Sequence, residues 1–453
     1  MKTKFLIQTF AAMLGTYLLY QADWGLNVLL LALAVVGLLM QFQKLPLLPA
    51  LLFLVAALLV AISGSLLALV LFWLLLLLVV ALSHSRLSWP VALLEGLQKL
   101  LSAGWRMVFQ QKQLPMRGFS LGKSLLLTLP PLFITLLFYA LYSSANPVFA
   151  DRISLAQLPL PRPSWFLLFF LLLYLSYALV YALPAKSLQP WDVRQPDVLL
   201  RRRKKSPFNP LWLKYEYKTA LIALAMLNAL LLLFHGVDLL TLLEGRPAQG
   251  VTFAQWVHQG VGTLIVSIVL AVALLIWVFR GNLNFFIHNQ NLRLLARAWI
   301  IQNALLVLST ALKNSWYVAS YGLTYKRIGV GVYLLLVLIG LITTWSKISH
   351  KNTLWWMIKG NLKATLLVLL LTACLPWGRL IAWYNLEQAR VPDGAYLMEL
   401  PLHTTDQLVK HQHLLTDQQL LRLEFRREVL QKSTTLENWK SWTLLNHYAA
   451  KNL

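Results

Sequence analysis

The sequence predicts an all-α protein: a polytopic transmembrane helix bundle of about 11 spans with a small helical extracytoplasmic C-terminal region. Three observations predict it. First, apolar stretches near bilayer-crossing length recur between Lys4 and Ile381. A hydrocarbon core of about 30 Å accepts helices of about 20 apolar residues. Second, hydrophobic residues make up 58% of the 453 residues and charged residues 12%. That charged share is about half that of an average soluble domain, too little to cover the two or three cores a soluble chain of this length needs. Third, the basic residues sort into alternate loops, as the positive-inside rule requires of a membrane protein.

The expected spans are 5–20, 26–41, 45–63, 66–83, 124–143, 164–185, 219–236, 262–279, 297–312, 328–346 and 362–378. Lys2 and Lys4 precede an apolar run from Phe5 to Tyr20, but Gln21-Ala22-Asp23-Trp24 is a poor cleavage site, so this segment reads as an uncleaved first span. The first four spans form two tight hairpins, the second turning at Gly64-Ser65. Loop 84–123 is too apolar for a plain linker. Pro90 opens a helix on which Leu94, Leu97, Leu101, Trp105 and Val108 share a face, with Glu95, Lys99, Ser102 and Arg106 on another. It lies in the cytoplasmic interface or packs beneath the bundle. Pro130-Pro131 is expected to kink or break the fifth span.

With Lys2 and Lys4 inside, the basic loops 84–123, 186–218, 280–296 and 347–361 also fall inside. This orients an inner (cytoplasmic) membrane-type protein with its N-terminus cytoplasmic. An odd number of spans leaves the C-terminus periplasmic. Loop 186–218 carries Arg201, Arg202, Arg203, Lys204 and Lys205, expected to fix topology and contact anionic membrane lipid. The formal charge of +24 resides largely in such loops, so nucleic acid is not an expected partner. The bundle ends near 383, and 384–453 is polar. Thr404 with Gln407 and Thr416 with Gln419 have capping-box spacing, and Leu420, Leu423, Val429 and Leu430 mark an amphipathic helix. Trp439 and Trp442 suggest that this region folds against something, and it is the expected contact for an envelope protein partner.

The chemistry is sparse. None of the 16 acids falls near the middle of an expected span, and none lies between Glu244 and Glu387, which argues against a carboxylate-dependent coupled carrier. Gln302, Asn303, Ser309 and Thr310 form a polar stripe on one span, read as interhelical hydrogen bonding ahead of a substrate path. His411 and His413 are two residues apart, so a helix would put them on different faces, and no carboxylate has ligand spacing. The single cysteine, Cys374, excludes an internal disulfide and a cysteine metal site. Phosphate-binding glycine loops and hydrolase motifs are absent from the sequence. No catalytic, cofactor-binding or metal residue is assigned.

The stretch from Asn314 to Arg327 is the densest polar and aromatic cluster at a membrane boundary, and Lys326 and Arg327 break the charge pattern by lying on the outer side. Tyr321, Gly322 and Arg327 are its candidate contact residues for lipid or a partner. Gly322 lacks a Cβ and suits a left-handed turn or a close backbone approach. Arg327 is expected to reach lipid headgroups, the tail or a loop carboxylate such as Asp151. Tyr321-Gly322-Leu323-Thr324 with Arg327-Ile328-Gly329 resembles the signature of bacterial membrane proteins of domain-of-unknown-function family 4173, related to family 4153. Ser144-Ala145-Asn146-Pro147-Val148-Phe149, Tyr384-Asn385-Leu386 and Tyr396-Leu397 resemble further elements of that family in order, with Asn146 at a position where the family has aspartate. The resemblance implies a polytopic architecture in a bacterial envelope and supplies no catalytic residue. The reading is a non-enzymatic envelope scaffold or signal-transmitting module. The alternative is a transporter or lipid-handling protein using the Pro130-Pro131 break and the polar stripe.

Overall fold

The computed structural model describes residues 2–109, 163–181, 188–201, 210–244, 253–388 and 393–453, and every regular element among them is helical. The span expected at 124–143 with Pro130-Pro131, residues 144–149, Asp151 and Arg202 to Lys205 lie outside the described residues. Among the described residues, four helices are long and apolar enough to cross a bilayer: within Leu213–Leu240, Gln290–Tyr321, Tyr325–His350 and Leu354–Ala373. Shorter apolar helices stand at the other described spans, and length and composition alone do not establish eleven crossings. Several have 17 residues, a rise of about 26 Å, at the short end for a bilayer.

The chain divides into two compact units, and segments of the C-terminal region belong to each. The first holds α1 (Lys2–Leu19), α2 (Leu26–Phe42), α3 (Leu47–Ser63), α4 (Leu66–Leu82), most of α5 (Trp89–Phe109), α6 (Pro163–Tyr181) and residues 431–447. Ala56, Ala57 and Ala68 are fully buried and let α3 and α4 approach closely, while Phe53 and Phe72 stack at 4.9 Å. The hairpin turns where the sequence places it. Gly64 caps α3 at φ +63°, and the Ser65 hydroxyl accepts from the Ala68 amide to start α4. Residues 440–443 sit on the two turns: Lys440 Nζ donates to the Tyr17 carbonyl at 2.6 Å, Leu26 N to the Trp442 carbonyl at 2.9 Å, and Thr443 touches Gly64.

Helix α5 reverses the expected use of its faces. Glu95 and Lys99 are 1% and 4% exposed and pair at 2.6 Å. The Ser85 hydroxyl donates to Glu95, and Lys99 to the Ala81 carbonyl at the end of α4. Gly96 packs directly on the Leu77 backbone. Leu94 and Leu101 point outward, 68% and 71% exposed. The amphipathic pattern is real, but polar side chains with partners are drawn inward and the leucines face outward.

The second unit holds most of α7 (Leu188–Arg194), α8 (Pro210–Glu244), α9 (Phe253–Val278), α10 (Gln290–Tyr321), α11 (Tyr325–His350), α12 (Leu354–Ala373), α13 (Trp377–Glu387), α14 (Gly394–Glu399), α15 (Thr405–Lys410) and most of α16 (Asp417–Ser433). Helices α8 to α11 share a core that includes Leu224, Ile268, Leu275, Leu292, Leu306 and Leu341. At one end the segment after α7 docks on the α11–α12 turn: the Thr353 amide donates to the Asp197 carbonyl, and Lys359 pairs with the Asp197 carboxylate at 2.5 Å. Asp192 accepts from Ser88 and from the Trp355 indole. At the other end α13 to α16 fold over the α10–α11 turn around Ile381, Ala382, Leu397, Leu408 and Leu423. Of the two expected capping boxes, only the Thr416 amide to Gln419 half forms; Thr404 bonds the Pro401 carbonyl instead and caps nothing.

Candidate functional site

The α10–α11 turn is built by Gly322 and closed by α13. Gly322 has φ +81° and ψ 176°, a region in which glycine alone is at ease. A Cβ there would lie 2.5 Å from Asn385 Oδ1, so the close approach and the left-handed backbone are both realised. Asn385 clamps the next peptide from both sides: Leu323 N donates to Oδ1 at 2.6 Å, and Nδ2 donates to the Leu323 carbonyl at 2.8 Å. The Tyr325 amide donates to the Tyr396 hydroxyl at 3.0 Å. Burial pushes the Tyr396 hydroxyl pKa up, against the opposing pull of that amide and of Arg327. Thr324 caps α11 by accepting from Arg327 N. The Arg327 guanidinium turns back onto the Tyr321 and Gly322 carbonyls and lies 4.1 Å over the Tyr317 ring, so it braces its own turn. Tyr321 itself is exposed.

Beneath this turn lies a buried polar knot. Arg379 on α13 holds Asp406 through two parallel bonds of 2.9 and 2.8 Å and donates to the His403 carbonyl at 2.6 Å. Arg426 on α16 gathers the carbonyls of Met398, Leu400 and Pro401 with the Thr404 hydroxyl. His403 is 4% exposed, and its Nε2 faces Gly378. Burial first, and the Arg379 charge next, lower its pKa to about 4, so the ring is neutral at pH 7.

The polar stripe on α10 divides. Gln302 donates to Asn228 on α8 at 2.8 Å, and Ser309 donates to Asp238, whereas Asn303 and Thr310 bond carbonyls one turn back on their own helix. Asp238 also pairs with Lys313 in a buried ion pair. Sequence reading missed this ladder because the span was ended at 236, while α8 continues to Glu244. The missed signal is a matched spacing: Asn228 and His235 on α8, like Gln302 and Ser309 on α10, are seven residues apart, and the His235 ring bonds the Gln302 carbonyl. A cavity of about 280 Å³ opens beside it, walled by leucines, Phe234 and Trp299, with Ser267 and Asn303 as its polar lining. Arg201 is exposed. No group of three His, Cys, Asp or Glu side chains gathers among the described residues.

These features define a helical protein with membrane-type apolar helices and a C-terminal region docked on a glycine-built turn. The chain belongs to the family described as domain of unknown function DUF4153, which matches residues 11–411. The match is to 4153, the related family named with the resemblance drawn from the motifs, and does not extend to 4173. No curated protein and no solved structure matches the chain.

Proposed function

We propose that this protein is a non-enzymatic scaffold or signal-transmitting module of a bacterial inner membrane, in which the C-terminal region and the α10–α11 turn move as one piece. The observation that carries the reading is the two-sided Asn385 clamp on Leu323. It ties α13 directly to the turn between α10 and α11. Leu421 and Phe425, one turn apart on α16, are 74% and 67% exposed in an otherwise polar region and form the contact for an envelope partner. The N-terminus is cytoplasmic and the C-terminus periplasmic in this reading. Two features support that sidedness: the segments after α7 and α11, both from basic loops, meet at one end of the second unit, and the docked tail occupies the other.

Capture of the full-length protein in mild detergent tests the reading. A defined protein partner should co-purify and be lost in Leu421→Gln/Phe425→Gln. It should also weaken in Asn385→Ala, which leaves the contact residues intact. A partner retained by both variants would exclude the tail as the docking surface. Lipid handling is the second reading, favoured by the largely apolar cavity beside the α8–α10 ladder. Solute or lipid flux in proteoliposomes that is unaffected by the tail variants would replace the scaffold with that reading.

A further inference from the structure

The end of the second unit remote from the docked tail, where Lys359 pairs with Asp197, also carries a cluster of three further cations. Lys347 on α11 is 2% exposed, and its ammonium donates to the Phe279 carbonyl at 2.9 Å. The same carbonyl accepts from Asn284 Nδ2, and the Asn284 carbonyl accepts from Arg293 Nη2 at 3.3 Å. Arg297, one turn further along α10, donates to the Ser349 hydroxyl and lies 5.3 Å over the Trp345 ring. Among the described residues none of the three cations has a carboxylate partner. No acid occurs in the sequence between Glu244 and Glu387. Arg293 and Arg297 are like charges at i, i+4, and Arg293 stands in the first turn of α10, which carries no acid: both placements are unfavourable without an anion. The Nε atoms of both arginines are buried with no hydrogen-bond partner. Leaving such donors unmatched is costly.

We propose that Arg293, Arg297 and Lys347 bind the phosphate of an anionic phospholipid headgroup. Planar guanidinium groups match phosphate oxygens in paired bonds. Position selects lipid over free phosphate. Trp277 and Trp345, both exposed, stand at this end of α9 and α11, each with an arginine stacked on it, as expected where hydrocarbon meets headgroups. The site requires only that α9, α10 and α11 be embedded in a bilayer and is independent of any partner of the tail.

Native mass spectrometry of the purified full-length protein tests it, with phosphatidylglycerol, phosphatidylcholine and inorganic phosphate as separate probes. Phosphatidylglycerol should stay bound where phosphatidylcholine dissociates. Its affinity should fall about tenfold or more in Arg293→Gln/Arg297→Gln. Lys326→Gln, which removes an exposed charge at the far end of α11, should leave it unchanged. Arg297→Lys keeps the charge and loses the fork, and should weaken binding by about threefold even where the double variant fails to fold. Equal binding of the two lipids, or full phosphatidylglycerol affinity in a folded double variant or in Arg297→Lys, would overturn the site. Inorganic phosphate that binds alone and displaces the lipid completely would overturn the lipid as occupant.

Discussion

Helices α5 and α16 carry the same kind of pattern, leucines on one face and charges on another, and use it in opposite senses. Helix α16 buries Leu423 and Leu430 and leaves Arg422, Glu424, Arg427 and Glu428 exposed. Helix α5 buries Glu95 and Lys99 and exposes Leu94, Leu97 and Leu101. Periodicity therefore reports that a helix has two faces, while the surrounding medium decides which face turns inward. An exposed charge costs little beside water and a great deal beside hydrocarbon, so burying the Glu95–Lys99 pair while leucines face outward is favoured where lipid is the alternative.

The largest expected effect breaks this contrast at its centre. Lys99→Ala strands Glu95 in a buried site and should destabilise the first unit by about 3–5 kcal/mol. Arg427→Ala on α16 should stay within about 0.5 kcal/mol. Thermal unfolding in detergent compares them, and equal effects would mean that α5 does not lie against lipid. Next comes acid. The folded pKa of His403, about 4, lies below the ordinary value of 6.5, so the unfolded region binds the proton first as pH falls. Stability of the α13–α16 region should therefore be full above pH 6.5 and decline towards pH 4, by about 3 kcal/mol at most. Burial chiefly sets the depth of this decline; of the charges facing the ring, Arg379 and Arg426 deepen it and Asp406 opposes it. Hydrogen exchange across 394–430 measures it, and His403→Phe should flatten the profile.

Smaller effects are expected at the clamp. Gly322→Val combines an unfavourable φ with a clash at Asn385 and should cost about 2–3 kcal/mol, against about 1–2 for Asn385→Ala. Arg426 is tied to three carbonyls while Arg422 and Arg427 are exposed, so faster trypsin cleavage at Arg426 in particular reads the loosening. Smallest is the surface comparison: Leu101→Gln should lower stability in a bilayer by about 1 kcal/mol, and Leu421→Gln by about zero. The reverse order would assign α5 to water.

Much of the bundle was legible. Helices α2 to α4 fall within a few residues of 26–41, 45–63 and 66–83, because continuous apolar runs end at Trp24-Gly25, Pro46 and Gly64-Ser65. Helix α8 was not: hydropathy senses where lipid-compatible side chains stop, whereas backbone bonding continues from Pro210 to Glu244 through Lys214 and Asp238. At the junction, Gly322 and Arg327 were legible from composition, and Asn385 and Tyr396 through short motifs. Arg379, His403 and Asp406 were not. They lie 24 and 27 residues apart across α13 and α15, and no periodicity links side chains that meet only through folding.

The bond from Lys440 to the Tyr17 carbonyl spans 423 residues of sequence. At a synthesis rate of about 5–20 residues per second, the α1–α2 turn emerges roughly 20–80 seconds before its partner is made. Throughout that interval the Leu26 amide lacks the Trp442 carbonyl that it bonds in the finished fold. Completion of the α1–α2 turn is thus timed by residues made more than four hundred positions later. A ribosome that stalls before Lys440 leaves that turn without either bond.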